Sequence, residues 1–180
     1  MALGQRLLST DASALSRAGR RRRVGRALVW LAASFGVVHA GFSLYWAAGG
    51  RWLVPTLGEW AVRAAQEQPA RTALALAVIG VVKLVAAATP VAVEYGVVAG
   101  RRLIRAVSWL GSIGLIAYGG TYAGVGLAVL AGLIRPDGGY ERDAMIGHAA
   151  LWDPLFLLWG VALATSLALT RGPGRRGAES

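Results

Sequence analysis

The sequence predicts an all-α integral membrane four-helix bundle, with both termini cytoplasmic and a short interfacial helix in the first outer loop. Three observations carry the prediction. Four apolar stretches, at about 27–48, 72–98, 107–134 and 144–170, are each long enough to cross a hydrocarbon core of about 30 Å at about 1.5 Å per residue. With 56% hydrophobic and 16% charged residues, the chain is too apolar for an ordinary soluble domain. The arginines fall in blocks between the apolar runs. Thirteen basic residues lie on one side and five on the other, with Lys83 between them, so the positive-inside rule places both ends of the chain in the cytoplasm of a plasma-membrane protein.

Residues 1–26 hold no comparable apolar run and read as a basic, disordered cytoplasmic tail. The run Arg20, Arg21, Arg22, Arg23 within it fits anionic lipid headgroups better than nucleic acid, because it directly abuts the first span. That span, at about 22 residues, exceeds a secretory h-region of about 7–15 and is expected to stay uncleaved. The four-span domain is expected to cover 27–170, followed by a cytoplasmic tail at 171–180. There is no cysteine, which excludes disulfides, thiolate metal sites and lipidated thiols.

In the first outer connection Leu57, Trp60, Ala61 and Ala64 recur at helical spacing while Glu59, Arg63 and Glu67 fall elsewhere, and Pro55 suits a helix start. This segment is expected to lie on the lipid surface or to cap the bundle as a lid. Pro90 predicts a kink or break in the second span. In the third, Gly120 and Gly124 form a G-x-x-x-G step suited to close packing within one chain. In the fourth, Trp152-Asp153-Pro154 reads as a break, with Asp153 as N-cap and Pro154 as the first residue of a new helix.

Ionisable groups inside a bilayer core usually face the protein interior. Counted from the outer ends, His39, Lys83, Tyr122 and Asp153 come one from each span, and all lie about 15–20 Å deep. They are expected to form a polar layer near the midplane, with a Lys83–Asp153 pair at its centre, Tyr45 and Trp152 close by and His148 lining an outer entrance. The layer has three readings. It binds a small hydrophobic or lipid-like ligand, with or without chemistry on it; or its groups only fix helix packing in a structural or accessory subunit. The third reading is a b-type cytochrome, in which His39 and His148 would be haem ligands despite an estimated depth difference of about 7 Å. The preferred reading is a ligand site, with no metal and no resident cofactor. Substrate and oligomeric state are not written in these residues.

The stretches HAGFSLYWAAGGRW (39–52) and GHAALWDPLFLLWG (147–160) resemble a family of small bacterial integral membrane proteins, common in actinobacteria, whose function is unknown. In that family a His followed by Tyr-Trp and a Gly-Gly pair ends the first helix, and Trp-Asp-Pro begins the last. His39, Tyr45, Trp46, Gly49, Gly50, Trp152, Asp153 and Pro154 are the matching positions. The resemblance implies a four-helix membrane fold and no particular activity.

Overall fold

The computed structural model of the protein describes residues 2–171, with side chains from residue 16 onward. All regular structure among the described residues is helical. Helix α1 runs from Ala2 to Ala47, a 3-10 turn covers Val54–Leu57, and α2 follows at Glu59–Glu67. Then come α3 (Pro69–Glu94), α4 (Arg101–Leu130), α5 (Arg142–Gly147), a π-helical turn (His148–Trp152) and α6 (Asp153–Leu169). Among the described residues, four segments are long and apolar enough to cross a membrane: Ser16–Ala47, Pro69–Glu94, Arg101–Leu130 and the composite Arg142–Leu169. Of the tail expected at 171–180, all but Arg171 lies outside the described residues.

Several local expectations change. The basic segment that composition reads as disordered continues the helix of the first span, because α1 already starts at Ala2. From 16 to 26 its residues stand exposed apart from the buried Gly25, so this stretch contributes little to the core. Pro90 does not break α3, which runs unbroken to Glu94. Only one turn follows the proline, so few backbone bonds depend on it. Pro55 sits at the start of the 3-10 turn, and α2 itself starts later, at Glu59.

The interruption in the fourth span is a π-turn. Asp153 is helical at φ −74°, ψ −38° and donates its backbone N–H to the carbonyl of His148, five residues back. A proline ring collides with the carbonyl four residues before it, here that of Ala150. Widening the preceding turn to five-residue spacing accommodates the ring while the helix carries on, so Asp153 is not an N-cap and its carboxylate is freed for other contacts.

Helices α1 and α6 form the central pair. α3 lies against α1, α4 lies against α6, and α3 and α4 meet only slightly. The packing is built on small residues that let backbones approach, as expected where apolar surroundings give helices no hydrophobic reason to associate. A Cβ on Gly119 would stand 2.5 Å from the Asp153 carbonyl oxygen and 2.6 Å from the Leu157 nitrogen. Ser112, Gly119 and Gly126 recur every seven residues on the buried face of α4. Gly160 of α6 answers them, facing Ile116 and the Ser112 carbonyl. Trp159 fills the space over Gly36 and centres a core of Ala32, Ala87, Ala162, Leu163 and Leu167. The G-x-x-x-G step is not the contact: Gly124 has open space around it, and Gly120 reaches only the end of the Leu157 side chain.

This difference is measurable. Gly119→Ala forces two backbones apart and is expected to cost about 1–3 kcal/mol, whereas Gly124→Ala gains helix propensity and is expected to be neutral or stabilising by up to about 1 kcal/mol. Thermal unfolding of the two variants in the same detergent checks the order.

Candidate functional site

The polar layer is assembled in two parts. On α1, His39 and Ser43 are one turn apart and both are buried; Ser43 Oγ donates to the His39 carbonyl at 3.3 Å. Lys83 of α3 reaches across to them. Its Nζ lies 3.0 Å from His39 Nδ1 and donates to Ser43 Oγ at 3.1 Å. The imidazole stacks on Phe156 with ring centroids 3.9 Å apart, and Lys83 Nζ sits 5.4 Å from the centre of the same ring.

A cation in an apolar layer ordinarily acquires an anion. Lys83 has none: no carboxylate among the described residues comes within ion-pair distance of it. The Lys83–Asp153 pair expected from depth does not form. Glu94, on the same helix, is held by Arg26 at 3.5 Å. Where Lys83 donates to Nδ1, the ring proton must sit on Nε2, which is buried and has no hydrogen-bond partner.

The second part lies on the fourth span. Asp153 is 1% exposed, and its Oδ2 approaches His148 Nδ1 at 3.4 Å, ion-pair distance without hydrogen-bond geometry. His148 is the more open partner, with 40% of its side chain exposed. Two buried polar atoms, His39 Nε2 and Asp153 Oδ2, therefore lack hydrogen bonds, a costly condition inside an apolar core.

The aromatic end of α1 closes the site from the side of the first connection. Phe42 packs against Trp46, Trp52 and Trp152, and Trp46 meets Trp152 edge to face at 5.1 Å. Tyr45 and Trp46 turn their polar atoms to the loop. The Trp52 backbone N–H donates to the Tyr45 hydroxyl at 3.2 Å, and Trp46 Nε1–H donates to the Trp52 carbonyl at 2.9 Å. Trp152, almost fully buried, donates its Nε1–H to Thr56 Oγ1 at 3.0 Å. Thr56 also rests on Gly147, where any side chain would strike it. Glu141 Oε2 accepts the backbone N–H of Glu59 at 2.7 Å, tying the start of α2 to the connection before α5. To follow this path Leu53 takes a left-handed backbone, φ 61°, which a branched side chain rarely adopts.

Of the residues expected in the layer, His39, Lys83, Asp153, His148 and Trp152 come together in these two linked parts. Tyr122 does not join them. It is 55% exposed and touches the ring of Tyr118, which in turn meets Phe156 edge-on at 5.7 Å. Tyr45 serves the loop and does not reach the layer. Ser43, Phe156 and Thr56 complete the site and were not anticipated. Ser43 carried a legible signal, one turn from His39 on an otherwise apolar helix; the other two are set by tertiary packing alone. The cytochrome reading does not fit this packing. His39 Nε2 is enclosed, with Phe156 against the ring face and Trp152 at 5.8 Å, while His148 is turned to Asp153.

The Trp152–Thr56 hydrogen bond ties the first connection to the π-turn. Trp152→Phe is expected to lose about 0.5–1.5 kcal/mol, and combining it with Thr56→Val should add little further loss, the signature of one shared bond. Hydrogen exchange should rise in residues 50–58 in each variant, and a fully additive double mutant would dissociate the two side chains.

No curated protein and no solved structure matches the sequence. One family model does, described as "Protein of unknown function (DUF3995)", over residues 36–163. That interval starts three residues before His39 and includes Lys83, His148, Asp153 and Phe156, so the whole site lies inside it. By that match the chain belongs to the DUF3995 family of proteins of unknown function.

Proposed function

We propose that the protein is a multi-pass plasma-membrane protein, with both termini cytoplasmic, that binds a lipid-soluble molecule whose polar head meets Lys83. The observation that carries this reading is the amine of Lys83, held in an apolar layer by two uncharged partners and, among the described residues, by no carboxylate. A group of that kind has the capacity to take a hydrogen-bond acceptor or an anion from outside the chain. The slight contact between α3 and α4 supports lateral access from the bilayer, with Tyr118 and Tyr122 on the exposed face of α4. The first connection serves as a cap on the outer side, with α2 at the interface, and the exposed Arg20, Arg21, Arg22 and Arg23 meet anionic headgroups on the inner side.

Orientation is tested directly, because the chain has no cysteine of its own. Asp137→Cys is expected to react with a membrane-impermeant maleimide in intact cells, and Ala178→Cys only after lysis. The reverse pattern would invert the proposed topology.

For binding, protein purified in mild detergent is extracted with organic solvent and the extract compared by mass spectrometry with that of Lys83→Met. The wild type is expected to carry a compound that the variant has lost at least about tenfold, a difference of about 1.4 kcal/mol in binding. Unfolding temperature should change little, since methionine fills a similar volume. A wild type free of any such compound, together with a less stable Lys83→Met, would assign the layer to helix packing instead.

A further inference from the structure

Lys83 is the only lysine in the sequence; every other basic side chain that makes up the nineteen is arginine. The chain therefore carries guanidinium outside the apolar middles of its long helices, and an amine once, in the middle of one of them. The two groups differ chemically: an amine can shed its proton and act as a nucleophile, and a guanidinium in a protein does not. The surroundings match that chemistry. Nζ is 3.0 Å from an imidazole nitrogen, the distance of a nucleophile from its base, and the imidazole is fixed by its stack on Phe156. Ser43 Oγ, 3.1 Å away, holds the amine in place, and no carboxylate among the described residues pins it as an ammonium ion.

We propose that Lys83 forms a reversible imine with a long-chain, lipid-soluble aldehyde, a narrower claim that rests on the ligand-binding reading above. Uncharged Nζ attacks the carbonyl carbon, forming the C–N bond as the carbonyl π electrons move to oxygen. His39 Nδ1 takes one proton from that nitrogen and returns it to the alkoxide oxygen, giving the neutral carbinolamine. The second N–H proton then passes through the same imidazole to the hydroxyl, which leaves as water as C=N forms. Amine and aldehyde give imine and water, with no oxidant or reductant. The hydrocarbon tail lies along exposed apolar surface of α3 and α4, which includes Ile79, one turn before Lys83, and Tyr118.

The test uses the full-length protein in detergent micelles, incubated with hexadecanal, reduced with sodium borohydride and mapped by peptide mass spectrometry. Stable hexadecylation is expected at Lys83, the only lysine available, and is expected to slow by about 100-fold in His39→Gln, which keeps a polar side chain but no base. Ser43→Ala, a milder change, should slow it by a smaller factor and guards against a misfolded His39 variant. Labelling that is equally fast after denaturation in SDS, or confined to the terminal amine, would overturn the imine. If Lys83 stays unlabelled while the native protein still carries a compound that Lys83→Met loses, the imine fails and the binding reading stands. If neither label nor compound is found, both fail.

Discussion

Backbone against backbone, where Gly119 meets the carbonyl of Asp153 and the amide of Leu157, is the contact on which the rest of the arrangement depends. Apolar surroundings leave helices without a hydrophobic drive to associate, so van der Waals contact must hold them, and that contact is greatest where a side chain is absent. Gly119 fixes the height and rotation of α6 against α4. Once α6 is set, Trp159 falls over Gly36 of α1, and Phe156 falls against His39. The π-turn before Pro154 adds the rotation that buries Asp153 and Trp152 together. A proline that would otherwise interrupt the helix instead aims its polar end.

That geometry separates charges that depth alone would pair. Lys83 is on α3, which lies against α1, and Asp153 is on α6, across α1 from it, so each polar end turns to a nearer partner. Lys83 finds an imidazole and a hydroxyl; Asp153 finds His148. Two buried polar atoms are left without hydrogen bonds as a result, His39 Nε2 and Asp153 Oδ2. Helix packing alone would be served equally well by apolar side chains of similar volume, which carry no such penalty. Unmet polar groups concentrated within the family-matched interval are the reason a ligand reading is preferred over a purely architectural one.

The connection 48–58 belongs to the same unit. It is tied down by Trp46, Tyr45 and Trp152, three aromatic side chains whose polar atoms reach the loop while their rings pack on neighbouring aromatics. Such side chains suit a boundary between apolar and wet surroundings, since one end tolerates each. The loop, the π-turn and the polar layer are thus mechanically continuous: moving Thr56 disturbs Trp152, whose ring lies beside that of His39.

By itself the sequence determined the helical class and the four long apolar segments, because these depend on composition and on distance along one axis. The residues His39, Lys83, His148 and Asp153 could be singled out for the same reason: a polar group in an apolar run is conspicuous without a structure. Which of them touch was decided only by tertiary packing. Contact needs the rotation of each helix as well as its depth, and rotation follows from where glycines allow approach. The spacing of Gly120 and Gly124 pointed to close packing, yet it is Gly119 that meets a backbone, while Gly124 faces open space. Tyr122 and Ser43 show the same limit, since a turn of a few residues carries the first outward and the second to Lys83. The π-turn was invisible too, because a proline after aspartate fits a new helix as well as a widened old one, and only packing against the neighbouring α4 backbone selects between them.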